Sequence, residues 1–342
     1  MRVKLEDVCE RGSSDLKQSD IVDVNGDYPI YGASGYIGNV NFYHQNKPYV
    51  AVVKDGAGIG RTFLHPAKSS VIGTLQYLLP KGNVLPEYLY YVVRYMRLEK
   101  YYTGATIPHI YFKNYKNEQF NLDSLDKQAI IIAILGKCEK IIAAKEHVLQ
   151  KFDELIKARF VEMFGDGESP LKTVEGLCSC IVDCPHTTPK YDGELKHPAI
   201  RTSEIKKGYI TWDSMRYVSD EEYEKRILRL RPEAGDIVYG REGTFGNAAI
   251  LPEGYKFCLG QRVMLLRPDY SKCTSEYLLH AVISDDVYQQ AVSKNNASTV
   301  AHVNVKDVKQ FKIPLPSFDK QNQFASFVAQ VDKSKLFLSR VA

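Results

Sequence analysis

Residues 126–164 read DKQAIIIAILGKCEKIIAAKEHVLQKFDELIKARFVEMF, without a proline and with Gly136 as the single glycine. Apolar residues recur at alternating steps of four and three: Ile131, Leu135, Cys138 and Ile142, then Leu149, Phe152 and Ile156, with Lys145 as the one interruption. Beside them a second stripe, Ile134, Ile141, Val148 and Leu155, repeats every seven residues. That period belongs to a helix packed along its length against other helices. The apolar face is wider than a two-stranded seam, so more than one neighbour is expected. At the α-helical rise the stretch makes a rod of ~58 Å, against a usual helix of about 11–12 residues. The rest of the chain is read as two similar globular regions flanking this rod.

The chain has 342 residues, 44% hydrophobic and 25% charged, with a formal net charge of +4. This is the composition of a globular protein large enough for two or three cores. The weak positive balance is compatible with an anionic partner without requiring one. Seven cysteines, an odd number at irregular spacing, suggest free thiols in a reducing compartment. The residues after Met1 lack the apolar segment of a signal peptide, and the longest apolar run, 129–135, is too short to span a bilayer. A cytoplasmic protein without a membrane segment is expected.

The chain repeats itself over a long period. Gly104–Ile110 reads GATIPHI and residues 297–303 read ASTVAHV, which places His302 193 positions after His109 and Thr299 193 after Thr106. Leu125-Asp126-Lys127-Gln128 returns as Phe318-Asp319-Lys320-Gln321 at the same offset. Upstream, Tyr88 aligns with Tyr277, Gln76 with Gln261 and Gly60 with Gly246, as loops change length. A unit this long is a duplicated domain rather than a solenoid repeat. In the second copy the turn Ile313-Pro314-Leu315-Pro316-Ser317 precedes the helix, because proline is excluded from helix interiors and central strands. The expected organisation is a domain at 1–125, a long helix at 126–164, a domain at 165–318 and a shorter helix at 319–342. Gly165–Pro170 forms the linker after the first helix. The fold class is α+β. The domains are mostly β, with strands at Tyr49–Val53, Val71–Leu79 and Cys258–Leu266, and one short helix each, near Glu87–Arg97 and Ser275–Val282.

Gly56-Ala57-Gly58-Ile59-Gly60 follows the first of these strands and invites a cofactor-loop reading. A dinucleotide or methyl-donor loop needs a helix N-terminus directly after the glycines, whereas Thr62-Phe63-Leu64-His65-Pro66 reads as strand. A tight strand-to-strand turn is the better expectation. Flanked by Lys54, Arg61 and Arg241, such a turn can approach a phosphate backbone. Cys178, Cys180, Cys184 and His186 match zinc spacing poorly, and ordinary thiols are expected. His109 and His302 lie in the most strongly repeated segment, yet no nucleophile or carboxylate is evident at matching positions. A structural histidine and a nucleic-acid contact are equally compatible with that. Arginine and glutamine can read guanine and adenine edges in bidentate geometry, which adds Gln76, Arg201, Gln261 and Arg262 to the candidate DNA-contacting set. Phosphate-binding Gly-Lys-Ser/Thr, His-Glu-x-x-His, nucleophile-elbow and Asp/Asn-Pro-Pro-Tyr motifs do not occur, so a non-catalytic chain is expected.

Two variable globules, each closed by a helix that opens at Leu/Phe-Asp-Lys-Gln, resemble the specificity subunits of type I restriction–modification systems. The resemblance extends over nearly the whole chain. It rests on Tyr28–Gly35, Asp55-Gly56 with Gly60, Gly104–Ile110 and its copy, Phe160–Asp166 and Ile181–His186. It implies two target-recognition domains, related by a pseudo-twofold, each reading half of a bipartite site in double-stranded DNA. It also implies two long helices, antiparallel and coiled-coil-like, that set the half-site spacing and dock two DNA methyltransferase (modification) subunits, with restriction subunits added. S-adenosylmethionine, ATP and Mg are then expected only on those companions, with no cofactor or metal on this chain. The helix positions expected to bind partners are Ile134, Ile141, Val148, Leu155, Phe324 and Val331. The second helix, 15 residues shorter than the first, departs from the family pattern. Two other readings stand beside this one: a cofactor-dependent enzyme using Gly56–Gly60, and a coiled-coil assembly protein with no DNA role.

Overall fold

The computed structural model describes residues 1–21, 25–104, 107–165, 167–192, 196–243, 246–294 and 302–340. Thr106 and Thr299, with much of the repeated segment around them, lie outside the described residues. The chain divides into two compact units, Met1–Ala144 and Lys145–Ala342, and the division falls inside the long helix Leu125–Phe164.

In the first unit a four-stranded sheet runs Cys9–Ser13, Leu75–Pro80, Tyr49–Val53, Thr62–His65, all neighbours antiparallel. In the second unit Cys178–Asp183, Val263–Pro268, Ile237–Gly240 and Ala248–Ile250 take the same order with the same antiparallel pairing. The central strands Tyr49–Val53 and Ile237–Gly240 are buried at every position, which explains their unbroken apolar sequence. Each unit has a second sheet with one parallel pair, Tyr28–Gly32 against Ser70–Val71 and His197–Ile200 against Cys258–Leu259. The segments 71–79 and 258–266, expected as single strands, each break in two, because a turn hands the chain from one sheet to the other.

The helices following the sheets are Pro86–Tyr95 and Ser275–Val282. Short helices Phe112–Tyr115 and Val305–Gln310 match between the units, and the second unit adds helices at Asp220–Arg226 and Asp285–Lys294. The two long helices begin by one device. Ser124 and Ser317 accept from the backbone N–H of Lys127 and Lys320, at 3.5 Å in both cases, as N-caps do. Gln128 and Gln321, each fully buried, then lock the first turn to the domain. The Gln128 Oε1 accepts from Leu85 N–H at 2.8 Å, and its Nε2 donates to the carbonyls of Asn83 and Asp123. Gln321 does the same with Thr274 N–H and the carbonyls of Lys272 and Pro316. The repeated Asp-Lys-Gln is therefore a latch.

Leu125–Phe164 has 40 residues and the second long helix, Phe318–Arg340, has 23. Within the second unit they run antiparallel. The Phe160 ring meets Phe324 at 5.4 Å, Arg159 lies over Phe327, and Asp153 accepts from Lys335 Nζ at 2.7 Å. Phe324 (0% exposed) and Val331 (6%) are thus inside the core, which corrects their assignment to partner binding. The stripe Ile134, Ile141, Val148 and Leu155 is exposed at 55, 60, 40 and 47%.

Candidate nucleic-acid interface

The glycine-rich turn of the first unit is a hairpin connection. Thr62–His65 pairs antiparallel with Tyr49–Val53 directly after it, and Val53 and Gly60 close its neck. No helix begins after the glycines, which removes the geometric basis of the cofactor-loop reading. Gly56 and Gly60 have φ of 90° and 82°, and a Cβ on Gly60 would stand 2.6 Å from the backbone N of Glu99. Glycine is required there both for conformation and for space. The second unit closes the matching neck between Gly240 and Gly246, and Gly243 and Gly246 have φ of 71° and 85°. Thr244 and Phe245 lie outside the described residues.

The rim segments join these turns identically. Ile110 N–H donates to the Lys54 carbonyl at 2.9 Å, and Val303 N–H donates to the Arg241 carbonyl at 3.0 Å. Backbone bridges link Asp55 with His109 and Glu242 with His302. The side chains follow: His109 Nδ1 lies 2.6 Å from Asp55 Oδ1, and His302 Nδ1 lies 3.5 Å from Glu242 Oε1. Each repeated histidine therefore does have a carboxylate at a matching position, contrary to the expectation from sequence. The signal was present as Asp55-Gly56 and Glu242-Gly243. It was hidden because the second turn is one residue shorter, so the carboxylates correspond at 187 positions while the closing glycines correspond at 186.

The remaining candidates separate into surface and core. Lys54 is part-exposed, 3.9 Å from Asp55. Arg61 is exposed and folds its Nε back to the Gly58 carbonyl. Arg262 is exposed, holds Glu242 at 2.9 Å, and adopts φ of 66°, rare for a side-chain-bearing residue. Gln261 donates to Thr188 Oγ1 near the surface. These four join His109 and His302 around the two turns.

Three others are corrected. Gln76 is 4% exposed and donates to the Tyr115 hydroxyl. It pairs with Val52 just as Met264 pairs with Tyr239, so its structural counterpart is Met264 and not Gln261. Arg241 is 5% exposed, with its guanidinium 2.9 Å from Asp183. Arg201 fixes the fully buried Glu204 through Nε and Nη2. Burial would raise the Glu204 pKa, but hydrogen bonds from Arg201, Ser203 and Ser214 outweigh it and hold the carboxyl below its ordinary value. Gln76 and Arg241 are committed to protein partners inside the domains, and Arg201, though part-exposed, is committed to Glu204.

Sequence reasoning also missed Tyr111, half exposed beside the first turn, with its ring stacked against His109 at 6.3 Å and Lys113 Nζ at 5.5 Å. Among the described residues no cluster of three or more His, Cys, Asp or Glu could hold a metal ion, and no helix is long and apolar enough to cross a membrane. Cys178 and Cys180 lie on an edge strand of the sheet, and burial pushes the Cys178 thiol pKa up.

A duplicated, mostly-β reader with paired basic turns, each copy closed by a long helix, defines a two-domain recognition protein without an evident catalytic centre among the described residues. The family model for the type I restriction modification DNA specificity domain matches residues 1–152 and 193–339, and the chain belongs to that family. It is 27% identical over 157 residues to a putative type I restriction enzyme MjaX specificity subunit of Methanocaldococcus jannaschii, covering 43% of this chain and 35% of that protein. It is 26% identical over 210 residues to the type I restriction enzyme EcoBI specificity subunit of Escherichia coli, covering 60% of this chain and 42% of that one. The chain thus spans under half the length of either relative. In fold it is similar to the crystal structure of a type I restriction–modification S subunit from M. genitalium, at a TM-score of 0.58 and 14% identity over 99% of this chain and 91% of the other. A second similar structure, described for complex assembly and conformational transition of a type I R-M system, gives 0.52 at 13% identity, covering 100% of this chain and 92% of its own.

Proposed function

We propose that this chain is a non-catalytic, cytoplasmic DNA-specificity subunit in which 1–125 and 165–318 each read one half of a bipartite duplex site. The observation that carries this is the recurrence of the same assembly on the same sheet in both units: glycine turn, carboxylate, histidine and exposed cations. Lys54 and Arg61 beside one turn, and Gln261 and Arg262 beside the other, suit phosphate contacts that position a reader, with base edges read from neighbouring loops.

The exposed stripe Ile134, Ile141, Val148 and Leu155 supports a docking role for the long helix, since apolar side chains at heptad spacing are covered by other helices. The occupants are companion methyltransferase subunits, two in number, to which restriction subunits add. S-adenosylmethionine, ATP and Mg belong to those chains. The same helix sets the half-site spacing.

The test is duplex binding by the full chain co-expressed with its modification subunits, across a salt series. Phosphate contacts make log K fall with log salt by about 0.9 per contact. Arg61→Ala and Arg262→Ala should each flatten the slope by about one contact. A slope near zero in the unaltered complex would favour an assembly protein with no DNA role.

A further inference from the structure

The carboxylate–histidine pairs at the two turns have no place in the phosphate reading by itself. A carboxylate at the edge of a surface meant for a polyanion is unfavourable, since it repels phosphate. Yet both units place one directly before the first glycine of the turn, as Asp in one and Glu in the other. Neither is buried: side-chain exposure is 32% for Asp55 and 25% for Glu242, and 35% for each histidine. Cations stand beside both, Lys54 at 3.9 Å from Asp55 and Arg262 at 2.9 Å from Glu242.

The backbone around each pair explains what the carboxylate can do. The Gly56 N–H donates to the Pro108 carbonyl at 3.0 Å, and His109 and Thr103 exchange backbone hydrogen bonds at 2.8 and 2.9 Å. The rim is therefore tied to the turn by backbone bonds at Pro108 and Ile110, and to itself between Thr103 and His109. Its one side-chain anchor to the turn is the Asp55–His109 contact among the described residues. In the second unit His302 Nε2 also lies 3.3 Å from Asn304 Oδ1.

We propose that Asp55–His109 and Glu242–His302 are matched positioning pairs. Each carboxylate fixes its imidazole, and through it the rim segment, against the glycine turn, so that turn and rim meet the duplex as one rigid edge. Each pair serves its own half-site alone. This rests on the DNA-reading function proposed above. A charge-assisted contact between two loops is suited to the task, because it fixes direction as well as distance.

The experiment uses the full chain co-expressed with its modification subunits, a pool of duplexes with a randomised centre as probe, and sequencing of the retained duplexes. Asp55→Asn and His109→Gln should each lower retention by about tenfold, the scale of one lost charge-assisted hydrogen bond. They should blur one half-site and leave the other sharp. Glu242→Gln and His302→Gln should do the reverse. Asp55→Glu and Glu242→Asp, which keep the carboxylate, should restore retention, and the melting temperature should stay near that of the unaltered complex. Unchanged half-sites in all four variants, or equal blurring of both halves with a lowered melting temperature, overturn the proposal and leave the DNA reading in place. An unaltered complex that enriches no duplex overturns the reading beneath it as well.

Discussion

His65 shows how one buried side chain sets a pH response. It stacks on Tyr31 at 4.0 Å and lies close to Phe63 and Tyr49, with its Nε2 lacking a hydrogen-bond partner. Burial draws its pKa from 6.5 down to about 4. The unfolded chain therefore takes up this proton first as pH falls. The stabilisation is complete above pH 6.5, declines as pH drops from 6.5 to 4, and changes no further below that. The loss should be on the order of 3 kcal/mol, read by urea denaturation of the first unit's transition, and His65→Phe should remove it. An unfolding free energy flat between pH 6.5 and 4 would contradict this environment. The latch glutamines give a second residue-scale test. Gln128→Ala and Gln321→Ala each remove a fully buried side chain and three hydrogen bonds to backbone groups. Each should cost about 2–3 kcal/mol, and near-equal losses by thermal denaturation are expected because the two sites are copies. The Asp-Lys-Gln repeat was plain in the sequence, but its role was not. A polar residue inside an apolar helical stretch reads as exposed until its distant backbone partners, Asn83 and Leu85 or Lys272 and Thr274, are located.

At the scale of elements, the long helix was legible from its period, and its bounds differ from the expected 126–164 by one residue, Leu125. Which stripe faces inward was less legible, because a heptad pattern on two adjacent faces does not say which one the same chain covers. Ile156, Phe160 and Phe164 are buried against the second unit, whereas Ile134 and Ile141 are exposed. Phe160→Ala or Phe324→Ala should therefore destabilise the second unit by about 3–5 kcal/mol, seen as earlier unfolding and faster amide exchange in 318–340. Ile134→Asp with Ile141→Asp should change stability by under about 0.5 kcal/mol each and still abolish co-purification with the modification subunits. Co-purification at the unaltered level would sink the docking role of that face. The turns divide the same way. Their glycines were legible because left-handed backbone demands glycine, whereas the buried Gln76 and Arg241 were indistinguishable in sequence from surface readers. Burial is decided by strand register, and Gln76 corresponds in register to Met264, three residues beyond the Gln261 that the sequence match selects.

For the whole molecule the duplication is the main finding, since two sheets with identical strand order arise from halves that share few residues outside their landmarks. Removing the heptad 142–148 would shorten the helix by ~10 Å, about three base pairs at 3.4 Å each. The recognised half-sites should then move closer by that amount or assembly should fail, and unchanged spacing in an assembled complex would count against a ruler. The central claim is that each half reads its own DNA. It is tested most directly by replacing residues 1–125 with the corresponding region of another family member, in the complete system, and mapping the methylated sites across the host genome. One half of the recognised sequence should change while the other half is retained. A new sequence in both halves would contradict the account.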